Sequence, residues 1–102
     1  MKRILLCCGA GMSSGFIAQS MRKQAKKEKL DIKIDAVSVS DVGSYLAGAD
    51  LLLVGPHLTY EFDGLKLEAD IEQVPMMVIP EKIYGSLDGT GLLRLSLDEI
   101  NK

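Results

Sequence analysis

The chain has 102 residues, about one domain, and its 12 Lys and Arg against 14 Asp and Glu give a formal net charge of −2. With 47% hydrophobic and 25% charged residues it can bury one core, which excludes a disordered chain, and the charge balance excludes a nucleic-acid binder built on net positive charge. No apolar run reaches the roughly 18 residues needed to cross a bilayer, so no membrane insertion is expected.

The first apolar run, Ile4 to Cys8, is too short for the core of a signal peptide, and glycines follow it at once. A lipidated cysteine also wants small residues before it, whereas Leu5 and Leu6 precede Cys7. The run reads as a buried strand of a cytoplasmic protein. Adjacent cysteines make no disulfide framework, and a bridge between them would be strained, so both thiols are expected reduced. Ser13 or Ser14 can cap the next helix. Ile17, Met21 and Ala25 then line one face, with Gln19, Arg22, Lys23 and Lys26 mostly on the other, to an end near Lys29. Residues 1–51 hold 8 cationic and 5 anionic side chains, residues 52–102 hold 4 and 9. The basic stripe from Arg22 to Lys29 reads as a solvated face suited to a helix C-terminus, in preference to a docking surface for an acidic partner.

Ile32, Ile34, Val37 and Val39 alternate with polar residues, as in a half-exposed edge strand. Ser40 can cap a short helix that stops by Gly48. Leu51–Val54 is continuously apolar, as a central parallel strand should be, and Gly55-Pro56 ends it. A helix from about Leu58 to Asp70 follows, with Gly64 its weak point. Met76 to Ile79 forms a fourth strand between Pro75 and Pro80. Asp88 can cap a last helix on which Leu93, Leu97 and Ile100 share a face. Alternating strands and helices predict an α/β three-layer sandwich: a four-stranded parallel sheet of order 2-1-3-4 with helices on both faces. Strands 1 and 3 are then neighbours at the topological switch point, where ligands bind beyond the carboxyl ends of the strands. Cys8-Gly9-Ala10-Gly11-Met12-Ser13-Ser14 and Gly55-Pro56-His57 meet there.

The first of these segments carries the strongest chemistry. Gly9, Ala10 and Gly11 let the backbone fold into a nest of N–H groups at a helix N-terminus, which suits a phosphate dianion. The same field favours a thiolate at Cys8, a nucleophile able to hold a phosphoryl group on sulfur. A cysteine phosphatase of this architecture has Arg six residues after its Cys, and Ser14 stands there. The guanidinium that grips phosphate and stabilises the hydrolytic transition state is therefore missing. No other Lys or Arg lies in the loop, and Arg22 is about 12 Å further along the helix. Backbone donors alone suit a carrier better than a hydrolase. A Walker loop lacks its Lys, a dinucleotide fingerprint has only a fragment of its glycines, a thioredoxin site lacks Cys-x-x-Cys, and a receiver domain lacks Asp at the end of strand 3, where Gly55 stands. Two Cys and one His make no convincing metal site, so no metal is expected.

The segment Cys8–Ser14 resembles the phosphocysteine loop of enzyme IIB of the bacterial sugar phosphotransferase system, lactose/cellobiose/chitobiose type. The likeness continues through Ala49–Pro56, Ile83-Tyr84-Gly85 and Asp88-Gly89, and so spans nearly the whole chain. It implies one IIB domain over 1–102, a transferase with no cofactor, in sugar transport driven by phosphoenolpyruvate. Cys8 would take a phosphoryl group from a phosphohistidine on enzyme IIA. The loop amides of Gly9, Ala10, Gly11, Met12, Ser13 and Ser14 would share its charge. Cys8 would then pass it to a sugar bound in the membrane component, enzyme IIC. The sugar implied is a β-linked disaccharide such as cellobiose, chitobiose or lactose, and the chain is expected to be a monomer that docks transiently at the inner membrane face. Gly9 and Gly15 stand where the family often has hydroxyl residues, which puts in doubt side-chain hydroxyl contacts beyond Ser13 and Ser14. The alternative is a thiol-based regulatory or binding module using a low-pKa Cys8.

Among the remaining residues, Cys7 should point into the fold, and His57 reads as an exposed or capping residue rather than a neighbour of the phosphoryl group. Asp88 reads as a helix cap and not a catalytic acid. Tyr84 fits packing beside the loop and core packing equally. Met12 and Phe16 fit either ordinary core packing or an apolar docking patch around Cys8.

Overall fold

The computed structural model describes residues 2–7 and 12–101, with backbone only for 12–14. Strands β1 (Lys2–Cys7), β2 (Ile32–Val37), β3 (Leu51–Val54) and β4 (Met76–Val78) form one sheet in the order β2-β1-β3-β4. All pairs are parallel. Cys7 stands opposite Val37 on one side and Val54 on the other, and Leu52 stands opposite Met76. The expected architecture is thus the observed one.

Period-two alternation sends successive side chains of the central strands to opposite faces. Ile4, Leu6, Leu51 and Leu53 meet Ile17, Met21, Leu92 and Leu93 from helices α1 (Met12–Lys27) and α5 (Gly89–Ile100). Leu5, Cys7, Leu52 and Val54 meet Val42 and Leu65 from α2 (Val42–Tyr45) and α3 (Phe62–Ile71). Every residue of β3 is fully buried, which explains its unbroken apolar sequence. Cys7 is also fully buried, as its strand position predicts. Leu97 and Ile100 pack partly buried on the first core, so the apolar stripe of α5 faces inward.

Several local expectations are corrected. Ser13 and Ser14 fall inside the first turn of α1, which already includes Met12, and so are not its cap. Val39 leaves the strand and Ser40 caps nothing: both lie in a 3-10 turn, Val39–Asp41, and α2 follows with no side-chain cap. Ser38 Oγ donates to Asp41 Oδ2 at 3.0 Å and lies 3.1 Å from Ser40 Oγ, local bonds that compete with strand pairing. Leu58 precedes a second 3-10 turn, Thr59–Glu61, so α3 starts only at Phe62. A six-residue helix, α4 (Glu81–Ser86), follows Pro80 where no helix was expected. Arg22 is not simply solvated: its Nε donates to the Ile34 carbonyl at 2.7 Å, on the edge strand β2.

Three helix ends share one device. Lys29, Gln73 and Leu87 are left-handed, with φ of 58°, 58° and 54°. At the first, Leu30 N–H donates to the Ala25 carbonyl at 2.9 Å and Lys29 N–H to Lys26 at 3.1 Å. At the second, Val74 bonds back to Ala69 at 2.8 Å and Gln73 to Asp70 at 3.1 Å. At the third, Asp88 bonds to Ile83 at 3.0 Å and Leu87 to Tyr84 at 3.3 Å. This is the Schellman pattern, normally built on glycine. A left-handed non-glycine residue costs about 1–2 kcal/mol. Apolar packing of the next residue offsets that cost at the first two ends, where Leu30 packs partly buried against one core and Val74 is buried in the other. At the third, Asp88 becomes the cap of α5, its Oδ1 accepting from Gly91 N–H at 3.0 Å, as the sequence predicted. Gly89 then passes so close to α1 that a Cβ would collide with the Ser20 side chain and lie 2.8 Å from the Met21 nitrogen.

Candidate functional site at the carboxyl edge of the sheet

Because all strands are parallel, their carboxyl ends share one edge. The connections from β1 and β3 leave that edge onto opposite faces, α1 against one core and α3 against the other. In open parallel sheets such a divergence marks the place where ligands bind. The exits are stitched together: Gly55 N–H donates to the Cys7 carbonyl at 2.9 Å, and Ile79 N–H to Val54 at 2.8 Å.

From Gly55 the chain turns through Pro56 and His57, and buried Leu58 anchors it, its N–H reaching the Gly55 carbonyl at 3.2 Å. His57 is exposed, and its ring lies 5.3 Å from that of Tyr84 with a 43° tilt. Tyr84, on α4, is half-buried against the α1–α5 core. It therefore packs on the core, one of the two placements the sequence left open, and its ring also stands beside the β3 exit, while the Cys8 loop of the other placement lies outside the described residues. Asp88 is committed to capping α5.

On the β1 side, Cys8, Gly9, Ala10 and Gly11 lie outside the described residues. The helix that follows begins at Met12. Its first-turn N–H groups, those of Met12, Ser13 and Ser14, have no partner within the helix, and its positive dipole end faces this edge. One turn on, Phe16 is 58% exposed, so it is not the core residue that an apolar ring at helical spacing suggests. Tyr60, in the turn after β3, is 82% exposed. Sequence reading passed over Tyr60, and its only signal was an aromatic residue next to a chain break in apolar periodicity. Among the described residues no group of three His, Cys, Asp or Glu side chains could hold a metal ion, and no helix is long and apolar enough to cross a membrane.

The edge thus offers a helix N-terminus, first-turn amide donors and exposed aromatic rings, with chemistry suited to an anion. Comparison with known proteins gives this edge a context. The chain is 34% identical over 105 residues to a galactose-specific EIIB component of the phosphotransferase system from Lactococcus lactis subsp. cremoris, covering 98% of this chain and 97% of that one. A longer protein, the lactose-specific EIICB component of Lactococcus lactis subsp. lactis, is 27% identical over 92 residues, 88% of this chain but 16% of its own length. The solution structure of a cellobiose-specific phosphotransferase IIB component from Borrelia burgdorferi superposes with a TM-score of 0.83 at 27% identity, covering 98% of this chain and 92% of that one. The family of lactose/cellobiose-specific IIB subunits of the phosphotransferase system matches residues 3–94, and the chain belongs to it.

Proposed function

We propose that the chain, as a single IIB domain over residues 1–102, carries a phosphoryl group on Cys8 between two proteins of a sugar phosphotransferase system. Family membership supplies the general activity, phosphotransfer in sugar uptake. The observation that carries the finer reading is the carboxyl edge itself. There β1 ends at Cys7 and α1 starts at Met12, at the switch point of the sheet, with Cys8 next in sequence after the last residue of the strand.

The Cys8 thiolate attacks the phosphorus of a phosphohistidine on IIA. The P–N bond breaks, the P–S bond forms and the imidazole leaves. Backbone N–H groups from Gly9 to Ser14 and the dipole of α1 stabilise the charge on the transferred group. A hydroxyl of the sugar bound in IIC then attacks phosphorus: the P–O bond forms, the P–S bond breaks, sulfur leaves as thiolate and the hydroxyl proton is released to solvent. With backbone donors alone and no guanidinium in the loop, the phosphocysteine outlasts the exchange of partners. The exposed ring of Phe16, one turn from the loop, fits transient apolar docking at this edge. The sugar is a β-linked disaccharide of the cellobiose or lactose kind, selected by IIC.

The test is phosphorylation by phospho-IIA followed by peptide mass spectrometry. One phosphoryl group on Cys8, discharged only by vesicles holding IIC and sugar, is the expected result. Cys7→Ser keeps the label, because Cys7 is buried in the core beneath the edge. A folded chain that several IIA partners fail to label would move the assignment to a thiol-based regulatory module.

A further inference from the structure

A second surface lies away from the carboxyl edge. Helices α2 and α3 leave between them a recess of about 130 Å³ lined by Gly43, Leu46, Glu68, Ile71 and Glu72. Leu46 is buried, whereas Ile71 is 71% exposed and Leu67, one turn before it on α3, is 63% exposed. Exposed aliphatic side chains at this spacing form an apolar face without a partner. The exposed carboxylates of Glu68 and Glu72 border it. Among the described residues neither has a hydrogen-bonding or ionic side-chain partner, while Asp70 close by is held by Lys66 at 2.7 Å. An apolar recess flanked by open carboxylates fits an aliphatic segment bearing Lys or Arg.

The position of the recess limits what docks there. Helix α3 runs back from the β3 exit, so its last turns, with Ile71 and Glu72, approach the amino edge where β4 begins. An occupant held there leaves the end of β1 uncovered. We propose that the α2–α3 groove holds the chain on a cationic, aliphatic segment of its membrane component, while the carboxyl edge exchanges phosphoryl groups. The proposal rests on the carrier reading above. Of the two partners in that reading, the membrane component is the one whose cytoplasmic loops are enriched in Lys and Arg on general grounds. The longer EIICB relative keeps its IIB-like segment within a larger chain. A docking groove raises the effective concentration of two components in the same way that fusion does.

The first experiment titrates the labelled protein with a synthetic amphipathic helical peptide of leucine and lysine, and follows backbone amide resonances. Shifts centred on Gly43, Leu46, Glu68 and Ile71 are expected, with affinity falling about tenfold in E68K/E72K. Shifts elsewhere, or shifts that survive the charge reversal, overturn the groove. The second measures sedimentation with membrane vesicles containing a cellobiose-specific IIC. Wild-type protein is expected to be retained, and E68K/E72K to be lost while still accepting phosphate on Cys8 from IIA. Equal retention of both, retention of neither, or retention by vesicles of the same lipid without IIC overturns the partner assignment. Self-association abolished by E68K/E72K would replace the membrane component with a second copy and also overturn it. Failure of wild-type Cys8 to accept phosphate would refute the carrier reading and leave the peptide result standing on its own.

Discussion

The two edges of the sheet are built differently. At the amino edge the chain is tied down repeatedly. Arg3 N–H donates to Asp50 Oδ2 at 2.8 Å while Asp50 N–H returns a bond to the Arg3 carbonyl at 2.8 Å. The Arg3 guanidinium also reaches the Ala47 carbonyl at 3.0 Å, passing close to Gly48, where a Cβ would lie 3.2 Å from Nη1. Lys2 and Leu52 bond to the Asp31 and Pro75 carbonyls, and two Schellman ends close there. The carboxyl edge has its two strand exits stitched and presents exposed rings and the N-terminus of α1. One edge ties its backbone down through internal bonds, and at the other a helix begins whose first-turn N–H groups have no partner within the helix.

If this division holds, substitutions at the two edges separate stability from transfer. Cys8→Ser has the largest effect: phosphoryl acceptance falls to background, with the thermal midpoint nearly unchanged, both read on the same preparation. In the buried centre that supports both edges, Leu52→Ala costs about 2–5 kcal/mol in denaturant unfolding, because the leucine is fully enclosed. Asp50→Ala costs about 1–2 kcal/mol by orphaning Arg3 N–H, while the labelling rate of the folded fraction stays at wild type. A large fall in that rate would mean the edges are coupled. The smallest effect is a gain: Lys29→Gly relieves a left-handed residue and raises unfolding free energy by about 0.5–1 kcal/mol.

Much of this division was legible in the sequence. The run Leu51–Val54 announced the central strand because burial on both faces requires it, and the order 2-1-3-4 was the one expected of alternating strands and helices that form a doubly wound sheet. Helix α4 was not legible. It has six residues, too few for a periodic stripe, and Pro80 before it marks an end as readily as a start. Nor did Ser40 reveal that Ser38 and Asp41 would close a turn across it. The ends of α1 and α3 were read to within about two residues, but not their left-handed closure, because Lys29 and Gln73 stand where glycine is usual. The candidate Cys8–Gly11 rests on residue type and order alone and lies outside the described residues. Whether Phe16 faces core or solvent was a matter of the rotation of α1, which an apolar residue beside Ile17 does not fix by itself.

Asp88 ends one helix and begins the next. Its N–H closes α4 on the Ile83 carbonyl, and its carboxylate opens α5 on Gly91. Opening either helix at this corner releases a bond of the other, so the two should fluctuate as one cooperative unit. Amide hydrogen exchange in α4, a segment too short to be helical alone, would then be as slow as in the first turn of α5. Tyr84 belongs to that unit, and with it the ring that faces His57. Opening at Tyr84 is therefore coupled to a long amphipathic helix packed on the far side of the sheet from α3.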